Sequence, residues 1–404
     1  MSSIPFRDAL PRRPVDELIT QIDGAIGPLS VETIAPSQAM GRALAREVVA
    51  PADVPGFDRA AMDGYAVRSG DRGPRQLIGE AYPARPFDGK VQPGQMVRIM
   101  TGAPMPPGAD AVIPIEAVGP GGEMPELPPG KNVGRRGEDV TAGSVLFSPG
   151  RLLRPQDVGL LAAVGITSVF VHRIPRISIL VTGNELLPAG TAPSGYRIVD
   201  SNSPMLAELV RRDGGEADVG PIVPDERDAL REALLMADGD LILVCGGSSV
   251  GAEDHVASLL ADLGEIHTHG VALKPGAPAG FASLRGRYVF LLPGNPVSCL
   301  CAYDLFAGRA LRRMVGRGTR LPYMELRAPM AEAVSSTAGR VDYLRVTLQA
   351  DGQVRPLSVR GASVLSTTTQ ADGFVLIDAA VESLKAGETV SVHLYDTRRG
   401  SYTK

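Results

Sequence analysis

Apolar residues at Val15, Leu18, Ile19, Ile22 and Ile26 recur with the spacing of one helix face, and predict an amphipathic helix from Val15 to Ile26. A weaker helical stretch from Pro36 to Ala50 is expected to stop at Pro51. From Pro51 to about Leu146 the texture changes to short β-like pieces cut by Gly and Pro, namely YAV, QLIGEAY, QMVRIM, DAVIPIEAV and SVLF, which predict a compact β-domain. Residues Leu152 to Val171 return to helix and strand, with Pro155 placed to begin a helix and Gly165 to end it.

Between Arg176 and about Gly316, continuous apolar runs alternate with amphipathic segments. The runs Ile177 to Thr182, Ala217 to Ile222, Leu241 to Cys245 and Tyr288 to Leu292 predict strands. Pro204 to Arg212, Glu226 to Ala237, Glu253 to Leu263 and Pro296 to Val315 predict helices. Such alternation implies a parallel sheet covered on both faces. Beyond about Tyr323 the segments YLRVTL, GFVLI and TVSVHLY predict a small β-domain. No internal repeat of solenoid or propeller period is present.

A chain of 404 residues exceeds one ordinary core and suits two to four domains. The 44% hydrophobic and 21% charged composition is that of a soluble globular protein, and a net charge of −4 provides no global basic field for nucleic acid or an acidic membrane. The N-terminal stretch has no apolar signal region, and no run approaches the ~20 residues of a membrane span, so a cytoplasmic location is expected. Cys245, Cys299 and Cys301 lack metal-ligand spacing and read as buried thiols of a reducing compartment.

In an open parallel sheet, ligands bind beyond the carboxyl ends of the strands. Four turns fall there: Gly183-Asn184-Glu185-Leu186, Pro224-Asp225-Glu226, Gly246 to Asp254, and Leu292-Pro293-Gly294-Asn295-Pro296. They are expected to converge on one crevice. Gly246, Gly247 and Gly251, with Ser249 between them, permit backbone angles that gather N–H groups into a concavity in front of the next helix. In the last turn Asn295 is suited to capping a helix and Pro296 to its first position, which would offer the N–H groups of Val297 and Ser298 to an anion. Lys274 stands as a lone cation in a Pro/Gly-stiffened loop. Taken singly, Glu253 and Asp254 read first as first-turn helix charges and the Asn295 turn as an ordinary capped turn, while Lys274 reads equally as a surface lysine.

Glu185, Asp225 and Asp254 follow three different strands of the sheet, and bare carboxylates there would repel a phosphate. A hard divalent cation resolves the conflict, because Mg²⁺ takes one or two carboxylates together with phosphate oxygens.

These motifs, in this order, resemble the molybdopterin molybdenumtransferase family (molybdenum insertases of MoeA type, with the related domain of gephyrin). The resemblance rests on Asp53-Val54-Pro55, Arg59-Ala60-Ala61-Met62-Asp63-Gly64-Tyr65-Ala66, Ile99-Met100-Thr101-Gly102-Ala103-Pro104, Arg136-Gly137-Glu138-Asp139, Gly183-Asn184-Glu185-Leu186, the stretch from Gly246 to Asp254, Lys274-Pro275-Gly276 and Leu292 to Ser298. It implies a multidomain α/β plus β fold. Residues 1–50 and 147–175 would form an elongated connecting domain, 51–146 an inserted β-domain, 176–320 a parallel α/β sandwich domain resembling the pterin adenylyltransferase, and 321–404 a C-terminal β-barrel.

The resemblance also implies an activity: insertion of molybdate into adenylylated molybdopterin with Mg²⁺-dependent release of AMP, by a homodimer that meets other enzymes of cofactor synthesis. It gives catalytic roles to Asp63, Thr101, Glu185, Asp225 and Asp254, with Glu185 and Asp254 placing Mg²⁺ and with Asp63, Thr101 and Asp139 reaching the crevice from the partner subunit. Asp139, Gly246, Gly247, Ser249, Gly251, Lys274, Pro293, Asn295, Pro296 and Ser298 would bind substrate, and Arg345 would contact molybdate. Two departures remove groups from the anion-binding segments: Ala277 stands where many members carry a second lysine, and Ala362 where many carry a serine. The competing readings are a pterin adenylyltransferase, which lacks the early β-domain and the Met62-Asp63-Gly64-Tyr65-Ala66 stretch, and a binding or clustering scaffold without turnover, which would not need the acids.

Overall fold

The computed structural model describes residues 12–247, 255–357 and 361–396. The chain forms two compact units, one of residues 1–32 with 172–404 and the other of residues 33–171.

The larger unit is built on a six-stranded sheet: β1 (Arg176–Val181), β2 (Glu216–Val219), β3 (Leu241–Cys245), β4 (Glu265–His269), β5 (Gly280–Leu284) and β6 (Arg287–Leu292). Their spatial order is β2-β1-β3-β6-β5-β4. The first four are parallel, with Ile177 opposite Leu241 and Leu241 opposite Tyr288. Every residue of β3 is buried. Leu241, Leu243 and Cys245 enter one core with Leu206, Val210 and Phe290, while Ile242 and Val244 enter the opposite core with Leu230, Leu234, Val256 and Leu259. The period of two along a strand explains why an uninterrupted apolar run suits a sheet covered on both faces.

The alternation predicted a parallel sheet, but the sheet is mixed. β5 runs antiparallel to β6, and β4 to β5. Leu284 pairs with Arg287 across the two-residue loop Arg285-Gly286, whose φ angles are 51° and 77°. Two consecutive positive φ values match the twist of a tight hairpin, so this short loop reverses the chain instead of starting a crossover.

The helix Val15–Ala25 buries Val15, Leu18 and Ile22 in the same core as Ile177, Phe281 and Tyr303. It therefore packs with the mixed α/β sheet, although the sequence grouped residues 1–50 with 147–175. The helix that begins at Pro296 runs as Pro296–Ala302, a π-turn Tyr303–Ala307 and Gly308–Met314.

The C-terminal strands form a second sheet in the order Leu273–Lys274, Val341–Leu348, Gly373–Ile377, Thr389–Leu394, Met324–Pro329, with Val354–Pro356 also paired to Val341–Leu348. A bridge joins Met330 to Val354. Lys274 lies opposite Asp342, which ties a loop of the α/β region to the strand that carries Arg345.

In the smaller unit a four-stranded sheet has the order Gln76–Ala81, Gln95–Ile99, Gly64–Val67, Ala111–Pro114. The stretch from Pro36 to Ala50 is not the weak helix expected. It contains a 3₁₀ turn (Pro36–Gln38), bridges from Ala43 to Leu152 and from Leu44 to Val171, and the strand Val48–Val49. Gly41, at φ 75°, turns the chain out of helix, and the β-branched pair Val48-Val49 favours the strand. The helix Pro155–Ala163 starts at Pro155 as predicted, and Gly165 adopts a left-handed φ of 77° just after its end.

Candidate active site

Strand order β2-β1-β3 places a topological switch point between β1 and β3. The chain leaves β1 for the helix Asn202–Asp213, which packs on one face of the sheet, and leaves β3 for the helix His255–Leu263 on the other. Such divergence opens a crevice at the carboxyl end of the sheet.

The four turns meet there. A Cβ at Gly246 would lie 2.4 Å from the Thr182 carbonyl oxygen, and the residue has a φ of 100°, so the turns after β1 and β3 approach to a distance only glycine permits. A Cβ at Gly294 would stand 3.6 Å from Gly246 Cα, which brings in the turn after β6. The turn after β2 joins through Asp225. Its Oδ2 accepts from the Asn184 N–H at 3.1 Å, its Oδ1 accepts from the Thr182 hydroxyl, and its own N–H donates to Asn184 Oδ1 at 3.2 Å. Asp225 thus spends both carboxylate oxygens bracing the turn that presents Glu185, whose side chain is exposed. Gly247, at φ 58°, continues the concavity begun at Gly246. Ser249, Gly251 and Asp254 lie outside the described residues.

A cavity of about 630 Å³ lies beside these turns, walled by the α/β region and the C-terminal sheet. Lys274, Pro293, Asn295, Ser298 and Arg345, far apart in sequence, all line it. Arg345 is buried, and its guanidinium donates to Thr367 Oγ1 and, at 3.4–3.5 Å, to the Gly361 carbonyl. Arg340, also in the wall, is paired with Asp342 at 3.2 Å. Ala277 and Ala362, the two departures from the family pattern, line the same cavity.

The turn before the helix at Pro296 differs from expectation in two respects. Asn295 does not cap the helix through its side chain; its Oδ1 accepts from Ser363 Oγ at 3.0 Å. The Val297 N–H is not free for an anion, since it donates to the Ala362 carbonyl at 3.0 Å. Both differences have one cause: the 361–363 segment folds across the turn and takes the hydrogen bonds that a bare helix start would leave open. Pro296 occupies the first helical position, and Ser298 is buried.

In the smaller unit, Asp63 directly precedes the strand Gly64–Val67 and Thr101 follows Gln95–Ile99, with Gly64 opposite Ile99. The register joins the two residues. Thr101 donates its backbone N–H and its hydroxyl to Asp63 Oδ1 at 2.7 and 2.6 Å, and these bonds hold the Asp63 carboxyl below the usual carboxylate range. Asp139 is exposed, and its N–H donates to the Val54 carbonyl at 3.0 Å.

Sequence reasoning missed Asn202, which joins two of the crevice turns, and a buried polar cluster next to the cavity. In that cluster Arg212 pairs with Asp213 at 2.8 Å and with Asp304 at 2.9 Å, and the hydroxyls of Tyr323 and Tyr343 donate to Asp304. The signal for the cluster was an aspartate inside an otherwise apolar helix, Tyr303-Asp304-Leu305-Phe306.

These features define a multidomain chain whose mixed α/β sheet opens a ligand crevice at its switch point. Three family models match in order: the MoeA N-terminal region (domain I and II) over residues 13–165, a probable molybdopterin binding domain over 178–313, and the MoeA C-terminal region (domain IV) over 327–395. Molybdopterin molybdenumtransferase 1 of Mycobacterium tuberculosis is 33% identical, covering 94% of this chain and 98% of its own length. Molybdopterin molybdenumtransferase of Haemophilus influenzae is 31% identical, covering 91% and 95%. The crystal structure of the molybdopterin biosynthesis MoeA protein from Pyrococcus horikosii superposes with a TM-score of 0.83 at 32% identity, covering 96% of this chain and 100% of that one. The chain belongs to the MoeA family of molybdopterin molybdenumtransferases and has its multidomain fold.

Proposed function

We propose that this protein is a transferase of molybdenum cofactor biosynthesis that inserts molybdate into adenylylated molybdopterin and releases AMP with Mg²⁺. The observation that carries the reading is the cavity where Lys274 and Arg345 converge with Pro293, Asn295 and Ser298, next to the crevice that presents Glu185. An ammonium and a guanidinium suit a tetrahedral oxyanion, and the guanidinium fork adds direction to the contact. Positive φ at Gly246 and Gly247 gives the backbone the curvature of an anion-binding turn.

The donor chemistry fits Mg²⁺, which takes hard oxygen ligands from a few carboxylates and completes its shell with substrate phosphate and water. Glu185, with Asp254 from the loop after β3, would hold the ion, which supplies charge stabilisation at the phosphate when AMP leaves. Asp225 keeps the Glu185 turn in place. Gly246, Gly247, Ser249 and Gly251 receive the phosphate, and Lys274 and Arg345 hold molybdate near the pterin sulfurs. Asp63, Thr101 and Asp139 act on substrate from the partner subunit of a homodimer.

The same reading assigns a four-domain layout, with 51–146 as the inserted β-domain, 176–320 as a domain of pterin adenylyltransferase type, 321–404 as a barrel, and residues 33–50 with 147–175 as the elongated connecting domain, the helix Val15–Ala25 having joined the α/β core. The Met330–Val354 bridge supports a barrel, because it links the end of the edge strand Met324–Pro329 to Val354–Pro356, which pairs with Val341–Leu348 on the far side of the sheet. The same reading places its work in the cytoplasm beside other cofactor-synthesis enzymes; no helix among the described residues is long and apolar enough to cross a membrane. Purified protein given adenylylated molybdopterin is expected to release AMP only when Mg²⁺ and molybdate are both present. Binding of the substrate without any AMP release would overturn the reading.

A further inference from the structure

Asn202 opens the helix Asn202–Asp213 and is 8% exposed. Its Nδ2 donates to the Gly294 carbonyl at 2.7 Å, in the turn after β6, and to Cys245 Sγ at 3.1 Å, at the last residue of β3 before Gly246. One side-chain amide therefore spans the two glycine turns that form the crevice. The turns also meet without Asn202: the Gly246 N–H donates to the Leu292 carbonyl at 3.2 Å, and Cys245 Sγ donates to the Pro293 carbonyl at 3.5 Å, but both contacts are long beside the 2.7 Å amide bond.

Asn202 is itself held in place. Asp200 Oδ1 accepts from the N–H groups of Asn202 and Ser203 at 2.9 and 3.0 Å, and the Ser203 hydroxyl donates to Asp200 Oδ2. The Asp200 N–H donates to the Leu187 carbonyl at 2.9 Å, and the Ile198 N–H to the Glu185 carbonyl at 2.9 Å. A continuous chain of hydrogen bonds thus runs from the Glu185 turn through Asp200 and Asn202 to the turns after β3 and β6.

The amide is also costly for a residue that only stabilises. Asn202 Oδ1 is buried with no hydrogen-bond partner among the described residues, a desolvation penalty that an apolar side chain of similar size would avoid.

We propose that Asn202 is a positioning residue, whose amide clamps the turn before Gly246 to the turn at Gly294 and fixes both relative to Glu185. The proposal rests on the crevice reading above for its consequence in binding, but the clamp can be read independently of activity. Hydrogen exchange of the full-length protein measures the clamp, and calorimetry with AMP as the probe measures its consequence.

In Asn202→Ala, faster exchange is expected at peptides covering the Gly246 and Gly294 turns, with β1 and β3 unchanged. AMP affinity is expected to fall roughly tenfold to a hundredfold, as for a misplaced binding group. Asn202→Asp keeps the shape but sets a carboxylate oxygen against the Gly294 carbonyl, so it should show the same pattern. Cys245→Ala removes the sulfur contacts to Asn202, to the Pro293 carbonyl and to Cys299 but keeps the bond from Asn202 to Gly294, and should leave AMP affinity within about twofold, since the amide–carbonyl bond carries most of the clamp.

Faster exchange spread evenly over the sheet would make Asn202 a fold residue and overturn the proposal. So would unchanged exchange at the two turns, or an equal loss in Cys245→Ala. If the wild-type protein neither binds nor releases AMP, the functional reading fails, while the exchange result still decides the clamp.

Discussion

Asp63 and Thr101, thirty-eight positions apart, share one oxygen: Asp63 Oδ1 accepts both the backbone N–H and the hydroxyl of Thr101. These bonds favour the ionised acid and lower its pKa. Thr101→Val removes the hydroxyl and keeps the N–H, so the Asp63 pKa should rise toward the ordinary carboxylate value without passing above it. Carboxyl titration by NMR checks this. An unchanged Asp63 titration would show that the hydroxyl bond is not maintained in solution.

The cavity invites a gain of function. Ala277 lines it beside Lys274, with a small side chain where the family often has a cation. Ala277→Lys should tighten molybdate binding, and Arg345→Lys should weaken it, because an ammonium replaces a fork already oriented by Thr367 and Gly361. The loss expected for one charge-assisted bond is about 1.5–3 kcal/mol, roughly ten- to a hundredfold in Kd. Calorimetric titration with molybdate measures both changes. Opposite signs would place the anion elsewhere.

Glu185 is an exposed acid of the crevice, on a turn braced by Asp225. Glu185→Gln should lower Mg²⁺-dependent turnover by about two orders of magnitude and raise the Mg²⁺ concentration needed, with a smaller change in substrate binding. Asp225→Asn should act mainly through the Glu185 turn, and so raise KM and lower kcat together. Steady-state kinetics over a range of Mg²⁺ separates the two behaviours.

Acid sensitivity should concentrate at Asp157. This residue is almost fully buried at the start of the helix Pro155–Ala163 and accepts bonds from the side chains of Arg154 and Arg151 and from the Arg154 N–H. These contacts hold its pKa far below 3.8. An acid with a depressed folded pKa contributes stability above its unfolded value and loses it as pH falls below that value. Asp157→Asn should therefore cost about 1–3 kcal/mol near neutrality. The difference from wild type should shrink as pH falls below 3.8, measured by thermal melts over pH 2–7.

Much of this was legible because the local signals agreed with the tertiary demands. β3 is five apolar residues in a row because it is covered on both faces, and the glycines at 246 and 294 mark turns that crowd each other. The hairpin between β5 and β6 was hidden because Arg285-Gly286 lies in a stretch already dense in glycine and proline. Pro36 to Ala50 misled because its apolar spacing is set by packing against Leu153, Leu161 and Val171, not by a helix surface. Asn202 stands just before the helix predicted from Pro204 and carried no signal of its own. Its function depends on Gly294, ninety-two positions away, and no local pattern encodes that pairing.

The buried cluster predicts a stability effect of another kind. Arg212→Met would leave Asp304 and Asp213, both fully buried, without one of their cations. Removal of one partner from such a cluster costs about 3–5 kcal/mol. Urea unfolding should show that loss, while Tyr323→Phe, which removes one hydroxyl donor to Asp304, should cost less.

Under the proposed function, AMP leaves and molybdenum arrives at one site. A single-turnover experiment on the purified protein with adenylylated molybdopterin, Mg²⁺ and molybdate can count both, AMP by chromatography and protein- or pterin-bound molybdenum by elemental analysis. One molybdenum is expected to be retained for each AMP released, with both lost together in Glu185→Gln. AMP released at the same rate without molybdate, or molybdenum retained with no AMP released, would contradict the proposed function.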